Sequence, residues 1–235
     1  MIILAFESTA KVASVAVCDG ERLLAQYSID NGLTQSELLL PMAEDMLKSL
    51  RLSFSDVELL ATAVGPGSFT GVRIGTALIK GIAFGRDIPC AEVSTLEELA
   101  ENIAPLGDVL VPVMDARRNQ VYSAIFAPDE DGVKRITEDE AISIDALAKR
   151  LAEYEGKRIY LSGDGYEVAK KGLSSLGIEV CETPRLLIPE NAYSVAKIAY
   201  RKYKRGETVS DSEVKPTYLR MPQAERERLE RLQNK

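Results

Sequence analysis

The chain has 235 residues, of which 46% are hydrophobic and 28% charged, as expected for a globular protein with a sizeable core. Its net charge of −7 excludes a broad basic surface, because phosphate contacts dominate nucleic-acid affinity. Histidine is absent, which excludes Ser-His-Asp, Cys-His and histidine–zinc chemistry. No apolar run reaches the length of a membrane span and no basic signal precedes the first strand, so we expect a cytoplasmic protein without membrane contact.

The first fifty residues predict a meander of strands followed by a helix. Strands are expected over 2–5, 12–18 and 22–29, with an Asp-Gly turn between the last two. A helix is expected over 36–50, and its apolar stripe includes Leu39, Met42 and Met46. Neighbouring leucines make this stripe wider than one sheet contact needs. The pattern therefore indicates a second partner surface on the helix.

A glycine-rich stretch over 65–75 follows a buried strand that ends near Val64. Gly65-Pro66-Gly67 breaks that strand, and a helix capped by Ser68 or Thr70 then runs to about residue 85. Helical glycines let another backbone approach closely. They are compatible with a phosphate cradle, with a docking face for another helix, or with tight packing on the protein's own sheet. The phosphate cradle is the weakest of these, because Gly-Lys-Ser/Thr and G-x-G-x-x-G are both missing.

Docking of another helix makes the sharpest prediction about this segment. Gly71 and Gly75 are one turn apart, so we expect them to share an exposed helix face that Leu78 and Ile82 continue. A large residue at Gly75 should then block association and leave the monomer folded. Arg73 is expected at the exposed start of the helix, where it would meet a phosphate, a partner carboxylate or only solvent.

After Pro105-Leu106-Gly107 the order of predicted strands and helices begins to repeat. An apolar strand over 109–114 is followed by strands over 121–126, 158–161 and near 178–181. Helices are expected over 145–153, 166–176, 192–204 and within 223–235. The strand over 158–161 breaks at Gly163-Asp164-Gly165, as the earlier one breaks at its glycines. A repeat at about 100 residues predicts a duplicated α/β fold whose two lobes, 1–105 and 106–235, face each other across a cleft.

Three acidic residues are expected where strands end at the mouth of this cleft, namely Glu7, Asp115 and Asp164. Carboxylates there could hold a magnesium–nucleotide. Acids at strand ends are also ordinary N-caps and turn formers, and this alternative stays open. Arg117 and Arg118 would face the same cleft or form a solvated tip.

Several motifs together resemble the TsaB (YeaZ) family, the dimerization subunits of the bacterial tRNA threonylcarbamoyladenosine (t6A) complex. They are the glycine stretch 65–75, Ser36-Glu37-Leu38-Leu39, Asp115-Ala116-Arg117 with Val121-Tyr122, and Tyr218-Leu219-Arg220. The resemblance implies a duplicated actin-like fold of the ASKHA, ribonuclease H-like type. It also implies a non-catalytic role, with no catalytic residue, metal or cofactor of the chain's own.

The same resemblance implies the partners. They are the homologous catalytic subunit TsaD, the ATPase TsaE, and tRNA reached through the complex; whether the chain forms a homodimer when alone is left open. The family interface is a bundle of the two first-lobe helices, here about 36–50 and 70–85. The docking residues implied for this chain are Glu37, Leu39, Met42, Met46, Gly71, Arg73, Gly75, Leu78 and Ile82.

Two positions depart from the family pattern. Relatives carry Asp-Thr-Ser where this chain has Glu7-Ser8-Thr9, which weakens any nucleotide site, and often a histidine where Gln35 stands. The rival function is a small ATP-dependent phospho- or carbamoyltransferase of the same fold, which calorimetry with ATP and magnesium would distinguish. A peptidase is disfavoured because histidine, a metal motif and a nucleophile elbow are all missing from the sequence.

Overall fold

The computed structural model describes residues 1–117 and 120–220, which form two α/β lobes. The predicted helix within 223–235 and the predicted role of Arg118 lie outside these residues. None of the helices in the described ranges combines the length and the apolar character that a membrane span requires.

The first lobe is built on a five-stranded sheet in the order β3-β2-β1-β4-β5. An antiparallel meander forms one half of the sheet, and β4 and β5 run parallel to β1 in the other half. The strands are β1 (Ile2–Glu7), β2 (Ala13–Asp19), β3 (Arg22–Ile29), β4 (Leu59–Ala63) and β5 (Cys90–Val93). The predicted meander is confirmed, with β1 two residues longer than expected.

Helices cover both faces of this sheet because its central strand β1 is apolar on both sides. Leu4 and Phe6 point to α1 (Gln35–Ser49) and α2 (Phe69–Ala83), and the three elements share one core cluster. Helix α3 (Thr95–Ile103) begins after β5, with the Ser94 hydroxyl accepting from the Glu97 amide, and leads into the second lobe.

The opposite face of the first sheet is covered by α6 (Ala192–Lys204), which comes from the end of the chain. Val195 and Ile198 of this helix pack with Ile3 and Ala5 of β1. The predicted division of the chain places residues 192–204 with the second lobe, but the packing of α6 ties it to the first. The reason is that the odd-numbered side chains of β1 need a cover that residues 1–105 do not supply.

The second lobe repeats the topology of the first. Its order β10-β7-β6, with β11 parallel to β6, matches β3-β2-β1-β4, and its helices occupy corresponding places in the chain. The strands are β6 (Val109–Asp115), β7 (Gln120–Ser123), β8 (Phe126–Asp129), β9 (Gly132–Arg135), β10 (Glu140–Ser143) and β11 (Ile159–Ser162), and the helices are α4 (Ile144–Leu151) and α5 (Tyr166–Ser175). The predicted duplication is therefore confirmed.

Two strand predictions in the second lobe are wrong. The expected strand over 121–126 is interrupted at Ala124 and Ile125. Both β7 and β8 pair with the same edge of β6 in one register, and the chain then turns from β8 into β9. The expected strand near 178–181 is not regular, because only the Cys181 amide bonds to the neighbouring β11, at the Ile159 carbonyl, 2.8 Å away.

Candidate docking face and interlobe cleft

Helix α1 begins in a capping box formed by Thr34 and Glu37. The Thr34 amide and hydroxyl donate to Oε2 of Glu37 at 3.0 and 2.7 Å. These hydrogen bonds hold the pKa of Glu37 below its ordinary value, because they favour the charged carboxylate. Glu37 is exposed and remains a candidate partner contact, but its carboxylate already serves the helix.

The apolar stripe of α1 faces the first sheet. Leu39, Met42 and Met46 are 1%, 5% and 0% exposed, and they pack in one cluster with Phe6 and Leu60. A partner cannot reach side chains that the chain's own sheet covers. The expectation that these three residues bind a partner directly is therefore wrong, and their role is in the core.

Gly71 and Gly75 of α2 also face the sheet. A Cβ atom placed on Gly71 would lie 1.9 Å from the Ser8 carbonyl oxygen, and one on Gly75 would lie 2.6 Å from Oγ1 of Thr62. The Ser8 hydroxyl further donates to the Gly71 carbonyl at 2.9 Å, which holds helix and strand end together. Of the interpretations left open, tight packing on the protein's own sheet is correct. The predicted exposed face containing Gly71 and Gly75 is wrong.

The outer side of α2 carries small and apolar residues instead. Arg73, Ala77 and Gly81 are exposed at four-residue spacing, and a Cβ atom on Gly81 would meet nothing within 4 Å. A half-buried row runs beside them at the same spacing. We call the two rows together the outer face of α2: Arg73, Ile74, Ala77, Leu78, Gly81 and Ile82.

Three of the predicted docking residues, Arg73, Leu78 and Ile82, thus lie on the outer face, and whether they bind a partner stays a prediction. Ala77 and Gly81 were missed. The sequence carries their signal as a row of small and apolar residues at four-residue spacing, namely Gly71, Gly75, Ile79 and Ala83. The structure buries this row, which leaves Ala77 and Gly81 on the far side.

A C-terminal strap, residues 209–220, lies against the start of α2. The Thr217 amide donates to the Val64 carbonyl at 2.7 Å. The ring of Tyr218 lies 4.8 Å from that of Phe69, and its hydroxyl accepts from Nε of Arg73 at 3.0 Å. The Arg73 guanidinium also lies 3.9 Å above the Phe69 ring. Arg73 is therefore held in place at one end of the outer face.

The strap then crosses to the second lobe and forms one wall of the cleft. Arg220 donates to the Ala116 carbonyl at 3.1 Å and to the side chain of Gln120. The cleft has a volume of about 770 Å³, and residues of both charge signs line it: Lys11, Asp30, Asp115, Arg117, Asp164 and Arg220. The mixed charges give it no strong preference for an anion.

The second-lobe acids meet in this cleft. The Asp115 amide donates to Oδ1 of Asp164 at 2.8 Å, and Oδ1 of Asp115 accepts from the Arg117 amide at 2.7 Å. Burial, and secondarily the charge of Asp115, raises the pKa of Asp164 above its ordinary value. The Asp115 carboxylate therefore forms a turn with Arg117, and the Asp164 carboxylate binds the end of β6. A ligand-binding role of the two acids stays a prediction.

Glu7 does not join the other two acids. Its side chain is fully buried, Oε1 accepts from the amide and hydroxyl of Thr9, and burial raises its pKa to about 7. The expectation that Glu7 lines the cleft is wrong, because β1 extends to Glu7 and pairs it with Ser14 inside the sheet. Among residues 1–117 and 120–220, no group of three or more acidic, cysteine or histidine side chains is placed to share a metal ion.

Known structures share this fold. YeaZ from Pseudomonas aeruginosa superposes with a TM-score of 0.78 at 23% identity, covering 93% of this chain and 99% of that one. The component A of (R)-2-hydroxyglutaryl-CoA dehydratase from Acidaminococcus fermentans superposes with a TM-score of 0.52 at 12% identity, covering 87% and 99%. The fold is the duplicated, two-lobe actin-like α/β fold, as the resemblance implied.

Sequence comparison identifies the family. Residues 34–225 match the family model described as TsaD, tRNA N6-adenosine threonylcarbamoyltransferase. The tRNA threonylcarbamoyladenosine biosynthesis protein TsaB of Escherichia coli K12 is 30% identical over 223 residues, 94% of this chain and 95% of that protein. The protein of the same name from Haemophilus influenzae is 28% identical over 94% of both chains. This chain therefore belongs to the TsaB family of tRNA threonylcarbamoyladenosine biosynthesis proteins.

Proposed function

We propose that this chain is a non-catalytic subunit that docks through α1 and the outer face of α2 onto a TsaD-like threonylcarbamoyltransferase. The pair, with a TsaE-like ATPase, then modifies an adenosine of tRNA. The single observation that carries the proposal is the outer face of α2, where an apolar row lies beside exposed small residues. Family membership indicates a role in t6A biosynthesis, and the geometry of α2 supports its outer face as the docking surface.

The composition of the outer face suits another helix. Arg73 and Lys80 are the charged residues of the fifteen-residue α2, and Arg73 is already engaged by Phe69 and Tyr218. Ala77 and Gly81 let a second helix backbone approach, and the neighbouring row offers it apolar side chains. The ring of Phe84, 79% exposed, extends this surface at the end of the helix.

The chemistry of the chain supports an accessory role. The sequence has no histidine, so a histidine acid, base or metal ligand must come from another subunit. Asp115 and Asp164 already accept hydrogen bonds from backbone amides. We infer that the catalytic groups lie on the TsaD-like partner.

The test is a substitution that fills the space above Gly81. Gly81→Leu should leave the monomer folded and up to about 1 kcal/mol more stable, because leucine is the better helix former and its Cβ meets nothing. It should weaken association with the TsaD-like protein of the same genome by about 2 kcal/mol or more, roughly 30-fold in Kd.

Calorimetric titration of the two subunits measures this effect, and Lys171→Leu on the exposed side of α5 is the matched control. The control should bind like the unmodified chain. Wild-type affinity of a folded Gly81→Leu variant contradicts the docking surface.

A transferase that acts alone is the second candidate, favoured by the size of the cleft and by the pair Asp115 and Asp164 inside it. Calorimetry of the isolated chain with ATP and Mg²⁺ distinguishes it. Micromolar binding that Asp164→Asn removes would favour the transferase over the accessory role.

A further inference from the structure

Carboxyl groups from both lobes converge behind the cleft. Glu7 ends β1, Glu98 lies in α3 and Glu190 precedes α6; the first two have no exposed surface, and Glu190 is 2% exposed. Glu98 interacts electrostatically with the other two, and we call these three residues the junction cluster. Asp164 borders the cluster, since its amide donates to Oε1 of Glu190 at 3.2 Å.

The carboxyl groups of the junction cluster have few hydrogen-bond partners that could compensate for their burial. Among the described residues, neither carboxyl oxygen of Glu98 has a hydrogen-bond partner, and neither has Oε2 of Glu7. The hydroxyl of Thr95, one turn before Glu98 on α3, is also buried without a partner in the described ranges. The Asn191 backbone amide favours the charged form of Glu98, but burial outweighs it. A buried carboxylate with so few partners is strongly disfavoured, and such a group takes up a proton instead.

We propose that the junction cluster binds protons at neutral pH and that the contact between the lobes is stable only in this acid form. The site is the fully buried carboxyl of Glu98 with its two neighbours, and its ligand is the proton. No lysine or arginine in the described part of the chain forms an ion pair with any of the three. The positive charge of Lys11 acts only on Asp164 at the border.

The electrostatics agree with this geometry. Burial raises the pKa of Glu7 to about 7 and that of Glu190 to about 8, and it raises the pKa of Glu98 well above the ordinary value. Repulsion between members adds to the effect for Glu98 and for Glu190, which also faces Asp164. Asp164 in turn faces Asp115.

These raised pKa values determine how the stability of the folded chain changes with pH. In the unfolded chain these groups ionise near 4.5, whereas in the folded chain two of them keep their protons up to about 7 and about 8. The folded state therefore binds more protons between these values, and stability falls as the pH rises through that window.

Few other groups of this chain are expected to titrate in the same pH window. The chain has no histidine, so the side chain that ordinarily titrates near neutral pH is missing. A hydrogen bond to Asp19 raises the pKa of the amino terminus above its ordinary value of 8.0. Burial raises the pKa of Cys18 to about 12 and of Cys90 to about 11. A proton taken up near neutral pH can thus be assigned to the junction cluster and the bordering Asp164.

The test is thermal unfolding from about pH 5 to about pH 7.5. The Tm of the unmodified chain should fall steadily with pH, and Glu98→Gln should reduce that fall, because a neutral amide of the same size needs no proton. Glu44→Gln, an exposed substitution on α1, should follow the unmodified chain. Calorimetry in buffers of different ionisation enthalpy should show that unfolding Glu98→Gln releases about one proton fewer.

A level or rising Tm of the unmodified chain overturns the proposal, as does an undiminished fall in Glu98→Gln. A rise in Tm with KCl or MgCl₂ that Glu98→Gln abolishes also overturns it, because the cluster would then bind a cation. Infrared spectroscopy of the unmodified chain needs no variant to fold. A protonated-carboxyl band must be present at neutral pH, and its absence refutes the proposal.

Discussion

Gly71 and Gly75 are the residues at which α2 comes closest to its own sheet. A methyl group at Gly75 would press on Oγ1 of Thr62 and Oγ of Ser8, at 2.6 and 2.7 Å, and neither neighbour has free space. We expect Gly75→Ala to lower the free energy of unfolding by about 1–3 kcal/mol.

Gly81→Ala is the matched control for this experiment, because it should raise the free energy of unfolding by up to about 1 kcal/mol. Urea unfolding measures both values. A Gly75→Ala variant as stable as the unmodified chain would mean that α2 does not pack on the sheet in this way.

At the scale of elements, α6 and α3 are joined by a buried acid with two basic partners. Glu101 of α3 is 5% exposed, and it pairs with Arg201 at 2.6 Å and with Lys197 at 2.8 Å. Glu101→Gln leaves two partly buried cations with less compensation, so we expect a loss of about 3 kcal/mol in the free energy of unfolding. Denaturant unfolding gives the value.

Glu207→Gln provides the comparison, since its pair with Arg205 is half-exposed and screened by solvent. It should change stability by less than about 0.5 kcal/mol. Equal effects of the two substitutions would show that α6 is not anchored through Glu101.

The position of the strap also depends on contacts with residues that are distant in sequence. Tyr218 stacks on Phe69, and Arg220 reaches the turn after β6, so the strap spans the start of α2 and the second lobe. Partner docking on the outer face would therefore meet a surface whose first residue, Arg73, is held by the strap.

At the scale of the whole molecule, the acidic chain should bind tRNA weakly when alone. With a net charge of −7 and a cleft of mixed charge, we expect affinity to fall steeply between low and physiological salt. Fluorescence titration of labelled tRNA at several salt concentrations measures it. Tight, salt-resistant binding by the isolated chain would reveal a nucleic-acid site outside the surfaces described above.

The repeated order of elements follows from the amino-acid sequence alone. Apolar strands that end at glycine turns recur with the same following helix, and such local patterns depend on neighbours within a few residues. The sequence also predicted the buried stripe of α1 and the cap at Ser68, which accepts from the Gly71 amide at 3.2 Å. The motif 65–75, together with the shorter motifs around it, predicted the family.

The free side of α2 is visible only in the folded chain, because a glycine serves equally well against a sheet or against a partner helix. Contacts at Ser8 and Thr62, far away in sequence, settle that Gly71 and Gly75 face inward. The same holds for Glu7 and Glu98, whose burial depends on elements that are distant from them in sequence. Local patterns fix which elements form, but the burial of a polar group or a glycine depends on what the rest of the chain packs against it.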